Sequence, residues 1–532
     1  MHSSSHLSNS RERPGRRETQ SQFGRRSRTT ARSRSGILVF LAGWSPAALA
    51  SIDERIDQTF QPVARALSEF VFYSIAVGDA QLQLIVVWLV IGALFFTVYF
   101  RFINVRGFGH AVRITRGKYD DPDEPGEVSH FQALTTAVSG TVGVGNITHV
   151  AVAISVGGPG ATFWLIVAGF LGMASKFTEC TLGTKYRQEN PDGSVSGGPM
   201  FYLDKGLAER NLPRLGKVMA WYYAICIIIG GLGIGCMFQA NQAFVQMVNV
   251  TGGATSFFAS RGWLFGGMLA ILVAFVIIGG IRSIARVTSK LVPFMAILYM
   301  LTALVVIGAN YADVPWALYA IVHNAFSPEG VTGGAIAVLV LGFRRAAFSN
   351  EAGIGSSSIA HAAVKTREPV SQGYVAMLEP FIDTVIVCAT TALLITVTVY
   401  EPGMVGDGNI SGVELTSSAF ASVLPWFPYI LAVVIMLFAY STMISWSYYG
   451  LEGCIYLFGP GRWTKVLYNS TFCLFVVLGC TTQLASILEF SDAMVFAMAL
   501  ANVLGLYLLA PVVKREVDGY WSRLKAKYPD AK

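Results

Sequence analysis

The sequence predicts an all-α polytopic membrane protein of about eleven spans, one extra N-terminal helix followed by two inverted sets of five. Three observations carry that reading. Of 532 residues 53% are hydrophobic and only 13% charged, about half the charged share of a soluble chain. Apolar windows near the bilayer-spanning length of ~20 residues recur along nearly the whole chain. Two of these windows, one in each half, are interrupted by glycines and polar residues.

The first 36 residues are rich in Arg and Ser and almost free of apolar side chains. They cannot bury a core and are expected to be disordered. The run Ile37 to Trp44, then Ala48-Leu49-Ala50, completes the pattern of a secretory signal peptide, with cleavage expected after Ala50. A retained cytoplasmic tail or a mis-called start are the other readings. Residues 1–50 are thus read as basic tail plus signal, 51–515 as one membrane domain and 516–532 as a cytoplasmic tail.

The first span, near Leu84 to Phe100, is followed by Arg101, Arg106, Arg113, Arg116 and Lys118. Basic loops stay in the cytoplasm. Further spans centre near Gly143, Gly169, Gly230, Ala274, Leu301, Ala347, Val387, Met436, Phe475 and Ala501. Alternation then places Lys185 to Lys217 inside, and the loops Asn310 to Gly330 and Tyr400 to Pro425 outside; neither outer loop contains Lys or Arg. The net charge of +7 therefore reports topology and gives no argument for nucleic acid. The seven cysteines fall in or beside apolar spans without a CxxC pair, as small packing residues do.

The first interrupted window contains Ser139-Gly140-Thr141-Val142-Gly143-Val144-Gly145-Asn146. Glycine is a poor helix former, and backbone freed in lipid is tolerated only when buried in protein or lining a polar cavity. A broken helix that binds an ion or small molecule is one reading, and a Gly-rich packing face is the other. The second window, Gly342 to Gly355, holds Arg344, Arg345 and Glu351 at membrane depth, and favours the first. For the arginines, snorkelling from a helix end is the alternative. With ten core spans in two sets of five, the broken segments open each half, the inverted-repeat arrangement of LeuT-type transporters.

At such a break the N–H groups of Gly143, Val144, Gly145 and Asn146 start a half-helix and can hold a carboxylate. Gly145 is the expected point of closest approach. The carbonyls of Ser139 and Val142 can coordinate a hard cation such as Na⁺, which takes oxygen ligands. Phe438, Ser441 and Thr442 stand at i, i+3 and i+4 on one helix face, and one carbonyl with two hydroxyls completes such an oxygen cage. The alternative is hydroxyls bonded back to their own helix. Trp446 shares that face and can wall a pocket. Gln239 and Asn241, in an amide-rich run, can contact substrate or bond between helices. Lys176 and Glu179 are read as structural, near a cytoplasmic helix end. Glu379 and Asp383, spaced i,i+4, are expected to pair with Arg344 or Arg345, for gating or for folding alone. His149 is read as neutral, packed or facing the pore. No HExxH, GxSxG or Walker motif appears, so an enzyme is not expected.

The runs GTVGVGNITHVAVAISVGGPGATFWL, SKFTECTLGTKYR, GGPMFYL, FSNEAGIGSSSIAHAA and FAYSTMISWSYYG together make the chain resemble the bacterial alanine or glycine:cation symporters. The resemblance spans most of Phe131 to Gly450. It implies a LeuT-type fold in the bacterial inner membrane and Na⁺-driven uptake of small neutral amino acids, with no organic cofactor. Carried over by position, the unwound first core helix falls on Gly140, Thr141 and onward to Asn146, and the sixth-helix motif on Phe348 to Gly353. The sodium hydroxyls fall on Ser441 and Thr442, and the pocket tryptophan on Trp446. The chain departs from the family at Val144 (usually threonine), at Thr148-His149 (a small Ala-Gly pair), at Ala346 (glycine) and at Leu451. These departures bear on substrate identity. A proton-coupled carrier of the same fold and an amino-acid-binding receptor remain as alternatives.

Overall fold

The computed structural model describes residues 61–529 apart from 63, 122, 192, 328–330, 332, 402–412, 424 and 482–484. The expected tail and signal segment, and the middle of the expected outer loop Tyr400 to Pro425, lie outside the described residues.

The main helices are α1 (Leu84–Tyr99), α2 (His130–Thr141), α3 (Gly145–Gly157), α4 (Gly160–Lys185), α5 (Pro213–Leu232), α6 (Gln239–Val250), α7 (Gly262–Ile277) and α8 (Gly280–Ala309). They continue with α9 (Gly334–Asn350), α10 (Ser358–Ala362), α11 (Pro369–Ala376), α12 (Ala389–Thr398), α13 (Phe427–Phe458), α14 (Arg462–Thr481) and α15 (Ala485–Lys527). Among the described residues, seven spans are long and apolar enough to cross a membrane, and the bent pair α2–α3 makes an eighth. Three expected windows fold as α1, α7 and α9, of 16, 16 and 17 residues. Length and apolarity alone therefore return fewer spans than the apolar windows do. Helix α15 runs through the boundary expected after Arg515 and on to Lys527 without interruption.

Two of these spans contain a π-helical stretch: Gly233–Phe238 links α5 to α6, and Phe381–Cys388 leads into α12. Each packs one residue too many into its turns, so the helix face is re-aimed at that point.

Burial sorts the spans. The apolar windows of α4, α13 and α15 are 67%, 61% and 72% buried, and those of α8 and α14 only 33% and 28%. The first group forms the interior, where α13 packs on α2, α5 and α8, and α4 on α9 and α11. On α8 the exposed stripe Phe294, Ile297, Leu301 and Leu304 recurs at helical spacing. Such a face is stable against hydrocarbon, which asks only that backbone polar groups be satisfied.

Ser129 starts α2. Its hydroxyl accepts from Gln132 N at 3.2 Å while Gln132 Oε1 accepts from Ser129 N at 3.0 Å, a capping box. On the same side of the sequence-defined topology, Arg187 donates to the carbonyls of Pro125, Ala362, Val364 and Thr366 at 2.5–3.2 Å. Val128 forms a parallel bridge with Val364. Outside the spans, Lys527 binds Asp121 at 2.8 Å and Glu124 at 2.6 Å, and its bond holds the Asp121 carboxyl below the usual carboxylate range.

The charge asymmetry gives a direct test of orientation. Cysteines at the exposed positions Arg210 and Ser418 should label from opposite sides, Ser418→Cys from outside and Arg210→Cys only after permeabilisation. Impermeant thiol labelling of intact cells at 210 and not at 418 would reverse the topology.

Candidate functional site: a broken helix facing a hydroxyl-lined one

Helices α2 and α3 meet at 43° across a three-residue break, Val142 to Val144. The glycines there are used for close approach. A Cβ on Gly143 would lie 2.5 Å from Thr442 Oγ1, and one on Gly140 would lie 3.0 Å from the Tyr449 hydroxyl. The Cβ position of Gly145, by contrast, meets only the ring of His149, at 3.2 Å. Among the glycines of the break, the one crowded by protein atoms is Gly143.

Across the break stands α13. Thr442 Oγ1 donates to Ser139 O at 3.1 Å, and Ser139 Oγ donates to Ser441 O at 2.6 Å. Ser445 adds bonds of 3.0 Å to Thr136 O and to Ser139 Oγ. Ser441 Oγ donates back to Phe438 O at 3.0 Å. The two hydroxyls thus divide: Ser441 bonds its own helix and Thr442 crosses to α2. All of Ser139, Val142, Phe438, Ser441 and Thr442 are at most 2% exposed. Oxygens ligating one hard ion at about 2.4 Å sit about 3.4 Å apart at right angles. The Thr442–Ser139 and Ser441–Phe438 separations are already close to that.

The start of α3 is a donor cradle. Gly143 N donates to Asn146 Oδ1 at 3.0 Å, and Val144 N donates to Gln239 Oε1 at 3.4 Å. Two side-chain amide oxygens therefore occupy positions that a carboxylate can take. Gln239 is brought there by the π-helical stretch just before it. Asn241 instead bonds Gly479 O at 3.1 Å and serves helix packing. Thr141 turns back to its own helix, to Val138 O at 3.3 Å.

The aromatic expectations separate. Trp446 is 1% exposed and donates from Nε1 to Gly140 O at 3.2 Å, so it ties α13 to the last turn of α2. Phe348 lies against His149 and Phe496, with centroids at 5.1 Å and 4.5 Å, and His149 stacks on Phe238 at 5.9 Å. The ring of His149 is thus part of an aromatic box over the start of α3.

The expected pairing of Glu379 and Asp383 with arginine does not occur. Asp383 Oδ1 accepts from Asn146 Nδ2 at 2.6 Å, and its Oδ2 accepts from the Ser349 and Thr384 hydroxyls at 2.6 Å and 2.7 Å. The π-helical stretch Phe381–Cys388 turns Asp383 toward the break. Glu379 pairs with Lys176 at 3.1 Å. The Arg344 guanidinium lies over the Phe72 ring at 4.4 Å, within the last two turns of α9. Lys176 and Glu179, expected near a helix end, are fully buried. Glu179 Oε1 accepts from Gly353 N at 2.7 Å and Asn502 Nδ2 at 3.0 Å. The break in the second half falls at Glu351 to Ser357, where Glu351 takes a left-handed φ of 55° and Gly353 and Gly355 follow at 88° and 95°.

The sodium:alanine symporter family matches the chain over residues 70–532. The chain belongs to the sodium:alanine symporter family. Its relatives include the sodium/alanine symporter AgcS of Methanococcus maripaludis, 38% identical over 80% of this chain and 92% of that protein. A probable sodium/glutamine symporter of Bacillus subtilis, GlnT, is 32% identical over 84% of this chain and 89% of that one. Among solved structures, MhsT in complex with L-phenylalanine aligns at a TM-score of 0.52 and 15% identity over 72% of this chain and 89% of that one. That likeness shows the LeuT-type fold. The symporter family makes this chain a multi-pass membrane transporter and not an enzyme.

Sequence reasoning left Ser445, and Ser349 within the Phe348–Gly353 motif, without a role, and gave Asp383 the wrong partner. The available signal for Asp383 was a carboxylate one turn from Glu379 in an apolar span, which marks a site without naming its partner.

Proposed function

We propose that this transporter imports small neutral amino acids, alanine or glycine, together with Na⁺ across a bacterial inner membrane. The observation that carries the reading is the contact of Thr442 with Ser139 across the break, with Ser441 and Phe438 beside it. Na⁺ would take the carbonyls of Ser139, Val142 and Phe438 and the hydroxyls of Ser441 and Thr442, whose hydrogens then turn away. Asp383 supplies a buried counter-charge. The carboxylate of the amino acid would displace Gln239 Oε1 from Val144 N and use the half-helix N-terminus, which needs no buried arginine. Gly140, Thr141, Gly145 and Asn146 complete the cradle. Phe348 and its box of His149 and Phe496 leave room for a short side chain, and Trp446 fixes the opposite wall. The membrane domain is proposed to take residues 51–515, with α15 continuing beyond it to Lys527.

The test is uptake of labelled alanine, glycine, glutamine and leucine into proteoliposomes under Na⁺, Li⁺ and H⁺ gradients. Alanine or glycine uptake that requires Na⁺ and exceeds leucine uptake is the expected result. Uptake driven equally by H⁺ alone refutes the Na⁺ assignment, and binding without uptake makes the protein a receptor.

A further inference from the structure

Helix α13 carries a polar stripe that continues beyond the hydroxyl-lined face. Ser441, Ser445, Tyr448 and Glu452 stand at i, i+4, i+7 and i+11, and all are at most 5% exposed. That spacing keeps them on one side of the helix. At a rise of about 1.5 Å per residue the stripe covers about 16 Å, toward the end that the charge asymmetry places in the cytoplasm. It ends in a cavity of about 240 Å³ lined by Glu127, Arg282, Tyr448, Glu452, Lys465 and Asn469. Drug-sized ligands occupy pockets of about 300 Å³ or more, so this one suits a smaller molecule.

The charges of this cavity are only half paired. Glu127 accepts from Arg282 Nε at 3.1 Å and from Val195 N at 2.9 Å, one bond on each carboxylate oxygen. Glu452 has no such partners. Tyr448 and Ser196 neighbour its carboxyl, yet Glu452 Oε2 and the Tyr448 hydroxyl complete no hydrogen bond among the described residues. Two buried polar atoms left unsatisfied on one cavity wall call for a ligand that satisfies them. Lys465 is half-buried at the same cavity and forms no ion pair among the described residues. One carboxylate and one ammonium therefore remain over, beside the exposed Arg282 and Pro460 at the mouth.

We propose that this cavity is a second, cytoplasm-side binding site for a small amino acid, filled without Na⁺. The ammonium of the zwitterion donates to Glu452 Oε2 and to the Tyr448 hydroxyl, which can accept as well as donate. Its carboxylate meets Lys465, with the Asn469 amide as a second donor. An inorganic cation would leave Lys465 unmatched and an anion would leave Glu452 unmatched, whereas a zwitterion answers both. Because the fixed charges of the cavity match both ends of the ligand, no co-transported ion is needed there, in contrast to the half-helix cradle. An amino acid released from the break meets this site on its way along the stripe. One that arrives from the cytoplasm fills the same site and opposes that release.

This inference rests on the proposed Na⁺-coupled uptake and on the charge-derived orientation. Equilibrium binding of labelled alanine to the purified carrier tests it, once in Na⁺ and once with choline in its place. Two alanines per chain should bind in Na⁺ and one in choline. Glu452→Gln should weaken the binding in choline by about ten- to a hundredfold, the loss of one hydrogen bond to a charged group. Its remaining Na⁺-dependent alanine shows that the variant is folded; if it binds nothing in either medium, Lys465→Gln decides the same question. Ethylamine and propionate, each with only one of the two charges, should compete far more weakly than unlabelled alanine. In inside-out vesicles without Na⁺, alanine should protect Asn469→Cys from an impermeant thiol reagent. Wild-type binding in Na⁺ alone overturns the second site and leaves the proposed function standing. Binding in choline that neither variant weakens, ethylamine that competes as well as alanine, or no protection of Asn469→Cys overturns the assignment to this cavity. Wild type that binds and takes up no small neutral amino acid in either medium overturns the proposed function itself.

Discussion

Asp383→Asn should reduce Na⁺-driven uptake by about ten- to a hundredfold while the protein still folds into the membrane. The Asp383 carboxylate accepts from Asn146 at the break and from Ser349 and Thr384, and hydrogen bonds to a charged group contribute about 1.5–3 kcal/mol, equivalent to roughly one to two decades in affinity. Asparagine removes that charge and keeps the shape. Its amide oxygen can still accept from Asn146 Nδ2, and the Ser349 and Thr384 hydroxyls can turn to accept from the new NH₂. The loss should therefore appear in Na⁺ binding and not in the yield of folded protein. Direct ²²Na⁺ binding to the purified carrier checks it. Wild-type binding by Asp383→Asn would remove Asp383 from the cation site.

Gly143→Ala should be as severe, by a different route. The added methyl lies 2.5 Å from Thr442 Oγ1 and 3.4 Å from Gln239 Oε1. Thr442 has a second helical rotamer, in which its hydroxyl bonds a carbonyl one turn back, and taking it removes the hydroxyl from Ser139 O. Either Thr442 releases Ser139 O or α13 moves away from the break, and both open the oxygen cage. A site misplaced by about 1 Å loses on the order of a hundredfold in rate. Gly145→Ala meets only the His149 ring, which can yield by a few tenths of an ångström, and should be the milder change. Parallel uptake measurements on the two variants decide it; equal loss in both would mean that the Thr442 contact is not what limits transport.

Much of this was readable in the chain because membrane physics writes large signals. The break at Gly140 to Asn146 follows from glycine density inside an apolar window, and the face of Phe438, Ser441 and Thr442 follows from helical spacing. Family membership was readable from the five motif runs. Partner choice was not. Asp383 and Glu379 lie one turn apart, and helical spacing puts them on one face. In the structure one turns to Asn146 and the other to Lys176, because the stretch between and after them is π-helical. Gln239 follows a similar stretch, and its neighbour Asn241 points to Gly479. Periodicity arguments assume a constant rotation per residue, and that assumption fails at these two places. The aromatic roles also stayed hidden, since a tryptophan that ties two helices and one that lines a pocket occupy the same helical position.

The stretch Phe381–Cys388 has an evolutionary consequence. A π-turn is what remains when one residue is inserted into a helix that otherwise keeps its ends in place. Removing that residue would rotate the following segment by about 100° relative to what precedes it. Asp383 would turn away from Asn146, and a neighbouring side chain would face the break instead. A lineage carrying this fold could then change which side chain meets Asn146 at the break through the gain or loss of a single codon. Comparison of coupling ions among relatives should therefore align lengths across 381–388 before it compares residue identities.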